Sequence, residues 1–202
     1  MSDHYFSNKP QSQSKPSTWS FELRGQTMKF TSDYGVFSKS EVDFGSRTLI
    51  DAFVEPSIDG VILDLGCGYG PIGLSLARAY SDRQFVLSDI NERAVSLAEQ
   101  NAKQNGIANV TFHVSDGMEG LRNHRYAAIL INPPIRAGKD TIFRMFEESY
   151  TALLDQGELW IVIQKKQGAP STQKKLQEIF AEVNVVNKNK GYFIFCAKKL
   201  DN

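Results

Sequence analysis

Cysteine is almost missing: Cys67 and Cys196 are the only two in 202 residues. They have no paired spacing, which excludes a disulfide framework and a zinc knuckle. His4, His113 and His124 lack metal-ligand spacing as well, so no metal is expected, and His113, mid-strand, reads as a satisfied structural histidine. No apolar run reaches the ~18–20 residues that span a bilayer. Residues 1–20 carry no apolar stretch of the kind a signal peptide needs, so a soluble cytoplasmic protein is the expectation. Charge of one sign is lacking too: 23 basic residues face 23 acidic ones. That balance excludes a wholly basic nucleic-acid coat and leaves room for a local patch. Neither an internal repeat nor a second-domain linker shows, and the length suits one domain with a core large enough to need no covalent staple.

What is present alternates. Residues 1–18, rich in Ser, Pro, Gln and Lys, cannot bury enough apolar surface to order themselves and read as a mobile tail, although His4, Tyr5 and Phe6 are candidates for local docking. Trp19, Phe21 and Leu23 then alternate with polar residues, Arg24-Gly25-Gln26 supplies a turn, and Met28 and Phe30 alternate after it, a hairpin signature extending the domain over residues 19–45. A short helix is predicted from Ser46 to Phe53. From Val61 onward, strands (61–65, 85–87, 110–114, 126–131, 158–163) alternate with helices. Pro71 opens one helix and Asn91 caps the next, with Gly106 placed to end it. A further helix is predicted over Thr141–Leu154 and another around Leu176–Phe180, followed by strands near 183–186 and 192–197. This is the pattern of an α/β, doubly wound Rossmann-like sheet over residues 46–200, mostly parallel with the last strand antiparallel, whose ligands sit beyond the C-terminal strand ends.

The strongest local signal is Asp64-Leu65-Gly66-Cys67-Gly68-Tyr69-Gly70, where a strand meets a helix. Glycines there let backbone N–H groups approach a ligand closely. Two phosphate motifs fail on spacing. A dinucleotide fingerprint needs glycine where Pro71 stands, and a P-loop needs Lys and Ser or Thr where Leu74-Ser75 stands. What remains is a glycine loop preceded by an acid that can attract a ligand's cationic end; a purely structural turn would use the same glycines. Cys67 reads as a small residue that fits the loop, not a nucleophile. Asp89 ends the second core strand, where a carboxylate can accept both hydroxyls of a ribose. Asp116, before Gly117 at the end of the third, is placed to accept from an exocyclic amine of adenine. The fourth strand ends in Asn132-Pro133-Pro134-Ile135. The prolines hold the chain extended, so the Asn132 side chain and the Pro133 carbonyl become outward acceptors for a substrate amine.

Together these motifs resemble a class I S-adenosylmethionine-dependent methyltransferase. Gly35-Val36-Phe37-Ser38 and Asp43-Phe44-Gly45-Ser46, ahead of the core, narrow the resemblance to the RsmC-like ribosomal small-subunit RNA guanine-N2 methyltransferases, the methyltransferase small domain, over about residues 19–199. The resemblance implies S-adenosyl-L-methionine as methyl donor and S-adenosyl-L-homocysteine as product. It implies donor binding by Asp64, Gly66, Cys67, Gly68, Gly70, Asp89, Ile90, Asp116, Gly117 and Asn132. Asn132, Pro133 and Pro134 would orient the target nitrogen, with Phe37, Ile135, Arg136, Lys139 and Lys165 on the substrate side. Two departures stand out. Two-halved relatives use an extra half for RNA, which this sequence has no room for. Position 135 is Ile where many relatives carry a stacking aromatic; Phe37 is the candidate to replace it.

Methyl transfer from a sulfonium needs alignment more than it needs a nucleophile or metal, an effect worth up to roughly 7–11 kcal/mol. A guanine amine is a poor nucleophile, and acceptors for its two protons favour the pyramidal nitrogen and the charge growing on it. Basic residues sit where RNA could run: Arg136, Lys139 and Arg144, then eight lysines against two acids between Gln164 and Lys199. The stretch Gln164–Gly168 is placed to close over the target. A monomer acting on ribosomal small-subunit RNA, without membrane or metal, is the expectation. Glutamine-N5 or adenine-N6 methylation, and an inactive donor-binding RNA or assembly module, remain as alternatives.

Overall fold

The computed structural model describes residues 13–36 and 41–200. Phe37 and the His4–Tyr5–Phe6 segment lie outside the described residues. The chain opens with β1 (Ser17–Leu23) paired antiparallel to β2 (Gln26–Ser32). Arg24 and Gly25 both take positive φ, 51° and 71°, the turn whose twist matches a two-residue hairpin. Residues 13–18, expected as part of a tail, have structured contacts. Ser17 and Thr18 belong to β1, and Asp33 accepts from Ser14 Oγ at 2.7 Å and Lys15 N at 2.6 Å. A single carboxylate gathers donors that the composition alone left without partners.

Then follow α1 (Phe44–Ala52), β3 (Val61–Leu65), α2 (Pro71–Ala79), β4 (Phe85–Asp89), α3 (Glu92–Gln104), β5 (Val110–Val114), β6 (Tyr126–Ile131), α4 (Lys139–Ala152), β7 (Leu153–Gln164), α5 (Ala169–Ile179), β8 (Glu182–Asn189) and β9 (Tyr192–Lys198). The seven-stranded sheet runs β5-β4-β3-β6-β7-β9-β8. Only β9 is antiparallel to its neighbours, inserted between β7 and β8. The chain winds outward from β3 through β5 and then returns to β6, so the topological switch lies between β3 and β6, where open α/β sheets bind their ligands.

Alternation along the central strands divides the core into two layers. Ile62, Leu87, Leu130, Trp160 and Ile194 face α1, α2, α3 and the hairpin. Leu63, Leu65, Ile129, Ile131, Leu159 and Phe195 face α4 and α5. Every residue of β6 is buried, as a strand covered on both faces requires. The hairpin docks through Asn101, which is fully buried on α3. Its side-chain oxygen accepts from Thr31 N at 2.8 Å and its nitrogen donates to Thr31 O at 2.9 Å, so the amide imitates a neighbouring strand.

Two helices and one side chain differ notably from expectation. Helix α1 begins two residues early, because Asp43 rather than a later residue caps it. Helix α4 spans Lys139–Ala152 rather than Thr141–Leu154: Leu153 pairs with Tyr126 and enters β7, a bend at Gln156 (φ 62°) and Gly157 allowing strand to follow helix directly. His113, expected as a structural histidine, is exposed on the edge strand β5.

Candidate active site

The glycine loop joins β3 to α2 and is stapled to β4. Gly66 N and Cys67 N both donate to Ser88 O, at 2.8 and 2.9 Å. Tyr69, at the loop's centre, is buried between Trp19 and Phe30 of the hairpin, with ring centroids 5.6 Å apart in each case. Asn101 Nδ2 also donates to Tyr69 O at 2.8 Å, so the residue that docks the hairpin also holds the loop. A Cβ added at Gly66 or Gly68 would meet nothing within 4 Å. The loop therefore leaves an open cradle lined by backbone.

Asp64 does not stand at a strand tip beside that cradle. It lies beneath the loop, 1% exposed, with Oδ2 accepting from Gly73 N at 2.8 Å. Glycine at 73 is what permits this approach, since a Cβ there would fall 2.8 Å from that oxygen. Asp64 Oδ1 is buried with no partner among the described residues. Burial pushes this carboxyl up to about 7, against the Gly73 hydrogen bond and with the repulsion of Asp89. Burial likewise raises Cys67, a poor setting for a thiolate.

Asp89 ends β4 beside the cradle. Its Oδ2 accepts from Gly68 N and its Oδ1 from Asn91 N, each at 2.9 Å. Burial raises its pKa, opposed by hydrogen bonds from Asn91, Gly68 and Ile90 N–H. A carboxylate has about four lone-pair sites, and with three backbone donors on Asp89 about one is left for a ligand hydroxyl. Asp116 is set apart: its side chain is about half exposed, and its Oδ1 meets Arg144 Nη2 at 3.2 Å. Arg144, grouped by sequence with residues facing RNA, is thus engaged with Asp116, next to Gly117.

Asn132 follows the end of β6 on the other side of β3. Its Nδ2 donates to Ser46 Oγ at 3.0 Å and approaches Asp43 Oδ2 at 3.4 Å. Among the described residues nothing donates to Oδ1. Pro133 is buried, and a 3-10 turn over Ile135–Ala137 leads to α4. Ile135 packs partly into the core layer under α4, while Lys139 Nζ lies 5.1 Å from the Phe143 ring and Arg136 is exposed. Asp89 and Asn132 thus bracket the glycine loop on one edge of the sheet.

The lysines divide. Lys165 and Lys166 follow β7, and Lys188 and Lys190 flank the β8–β9 turn, all at this same edge because Gln164 pairs with Tyr192 and Asn189 with Tyr192. Lys190 Nζ lies 5.1 Å from the Phe44 ring. Lys198 and Lys199 fall at the opposite edge, Lys198 paired across from Glu158 and Lys199 Nζ donating to Leu153 O at 3.1 Å. Lys175 is engaged by Glu147. The stretch after β7 forms a 3-10 turn over Lys165–Gln167, and Lys165 N donates to Gly191 O at 2.7 Å.

Sequence reasoning quoted Asp43 and Ser46 without giving them a role, and missed Asn101. Their partners lie 86 and more residues away for Asn132 and 70 away for Thr31, beyond any local pattern. Among the described residues no three His, Cys, Asp or Glu cluster to hold a metal, and no helix is long and apolar enough to cross a membrane.

The chain matches the methyltransferase small domain over residues 27–196. It is 58% identical to the uncharacterized protein YbxB of Bacillus subtilis (strain 168), over 99% of this chain and all of that one. It is 32% identical to ribosomal RNA large subunit methyltransferase G of Psychromonas ingrahamii, over 91% of this chain. Among solved structures, the T. thermophilus 16S rRNA N2 methyltransferase RsmC, in complex with AdoMet and guanosine, superimposes with a TM-score of 0.81 at 25% identity over 93% of this chain. The chain spans about half the length of those two RNA methyltransferases, 49% and 51% respectively.

Proposed function

Because the chain belongs to the methyltransferase small domain family, we propose that it is an S-adenosylmethionine-dependent methyltransferase acting on the exocyclic N2 amine of a guanine in ribosomal RNA, of the small subunit. The observation that carries this reading is the pairing of Asp89 and Asn132 across one glycine loop. The residues present fit the donor: an open backbone cradle at Gly66 and Gly68, with the Asp89 carboxyl beside it. When bound, S-adenosylmethionine supplies a methyl group on a positively charged sulfur, already activated for transfer.

The protein's part is positioning and polarity. Asp89 holds ribose hydroxyls, with Ile90 beside it. Asp116 and Gly117 border the adenine, and Gly66, Cys67, Gly68 and Gly70 shape the floor over Asp64. Asn132 Oδ1 and the Pro133 carbonyl accept the two N–H groups of the guanine amine, directing its lone pair and stabilising the charge that grows on nitrogen. Pro134 fixes the extended backbone that presents both acceptors. Arg136, Lys139 and Lys165 border the RNA, while Ile135 lies beside the extruded base, whose flipping costs a few kcal/mol. The relative solved with guanosine supports the acceptor class.

The test is transfer of radiolabelled methyl to ribosomal RNA from a strain lacking the protein, followed by nucleoside mass spectrometry. N2-methylguanosine is the expected product. Asn132→Ala should leave donor affinity within a few-fold and lower turnover at least ~100-fold, as loss of one preorganised polar group does elsewhere. Asp89→Ala should weaken donor binding measured by calorimetry. Unchanged turnover in the first variant removes Asn132 from the chemistry, and unchanged affinity in the second removes the ribose assignment.

A further inference from the structure

An asparagine at a reaction centre has an ambiguity that a carboxylate lacks. Its amide offers a donor nitrogen and an acceptor oxygen of nearly the same shape, and either can face the substrate. The surroundings of Asn132 remove the choice. Asp43 caps α1, its Oδ2 accepting from Ser46 N at 2.9 Å, and the same oxygen faces Asn132 at 3.4 Å. An ionised carboxylate only accepts, so the amide must turn its nitrogen toward it. Ser46 Oγ, in a side chain that is itself buried, takes the second contact at 3.0 Å. Gly45 closes the arrangement: a Cβ there would meet Tyr192 Cε1 at 3.0 Å and Asp43 Oδ2 at 3.2 Å, so α1 is wedged against the β9 end of the sheet.

We infer that Asp43 and Ser46 are positioning residues that lock the Asn132 amide with its nitrogen inward, so that only Oδ1 is presented to substrate. The pair acts from the start of α1, before the core sheet begins, upon a side chain at the end of β6. With Oδ1 outward the site demands a substrate atom that carries N–H, and it disfavours an acceptor such as a carbonyl oxygen at the same place. The negative charge of Asp43 also polarises the amide, strengthening Oδ1 as an acceptor. The inference rests on the proposed role of Asn132 for its kinetic consequence, but the orientation itself can be read without any substrate.

Ser46→Ala is the cleanest probe, because the backbone N–H that Asp43 caps is retained. Side-chain amide protons of Asn132, identified in 1H–15N spectra by their loss in Asn132→Ala, should be protected in the parent protein and exchange at least ~10-fold faster in Ser46→Ala. Methyl transfer to the undermethylated RNA should fall at least ~10-fold in Ser46→Ala, with donor affinity within about two-fold. In the Asn132→Ala background, Ser46→Ala should change nothing further, the signature of two groups acting as one. Asp43→Asn, which keeps a cap acceptor but lets the facing amide turn either way, should lower turnover without a large change in melting temperature. Unaltered exchange and turnover in Ser46→Ala would overturn the inference, as would an undiminished Ser46→Ala effect without Asn132. If Asn132→Ala alone proves fully active, the role of Asn132 fails, while the exchange measurement still decides its orientation.

Discussion

Asp64 and Asp89 are carboxyls that the fold discourages from ionising, and the sign of that effect fixes a pH dependence. Asp64 titrates at about 7 in the folded chain against an ordinary 3.8, so between those values the native state binds more protons than the unfolded one. Its contribution to stability is full below pH 3.8 and is lost as the pH rises through about 7. Asp89, also raised, acts in the same direction. The ligand-free protein should therefore melt at a lower temperature at pH 8 than at pH 5.5, and Asp64→Asn should flatten that decline in a scanning calorimetry series. A melting temperature that climbs over this range would contradict the assignment. At this scale the sequence was legible for position: Asp89 ends β4 and Asn132 follows β6, as expected. It was not legible where a partner decides the state: Arg144 beside Asp116, or Ser46 and Asp43 behind Asn132, meet only after the chain has folded.

Among the elements, the hairpin was readable because period-two alternation around Arg24-Gly25 has few other outcomes. Its docking was not, because it uses polar side chains of α3 and its end, Asn101, Gln104 and Asn105, the first of them inside an apolar stripe. Asn101 satisfies both backbone groups of Thr31 and the carbonyl of Tyr69. Asn101→Leu would leave these buried groups without partners, at about 1–3 kcal/mol each before relaxation. We expect the melting temperature to fall by at least roughly 6 °C, at ~2–4 °C per kcal/mol for a chain of this size. Hydrogen exchange at Thr31 N should rise toward that of an isolated hairpin. A variant as stable as its parent would show that the hairpin is held by its buried apolar residues and by the hydrogen bonds of Lys29 and Arg24 to the core. The handover from α4 to β7 was hidden for a different reason: Leu153 and Leu154 suit either element, and the pairing of Leu153 with Tyr126 decides.

On the scale of the whole molecule, zero net charge conceals a division by position. Lys165, Lys166, Lys188 and Lys190 stand at the edge that holds Asn132, while Lys198 and Lys199, adjacent to them in any count of the sequence, stand at the other. The run of charge was visible in the chain; its split was not, because β9 reverses direction. If RNA crosses the upper edge, replacing Lys165, Lys188 and Lys190 by Glu should weaken RNA binding and lower the slope of log affinity against log salt by ~0.7–0.9 for each phosphate contact removed. The same change at Lys198 and Lys199 should leave that slope within error. Equal losses from both sets, in a filter-binding titration across salt, would rule out a directional track.

The burial of Tyr69 between Trp19 and Phe30 has a thermodynamic corollary. Tyr69 belongs to the loop and its two ring partners to the hairpin, so a ligand that shifts Tyr69 acts on the hairpin's packing as well. Whatever free energy couples ligand at the loop to attachment of the hairpin is the same read from either end.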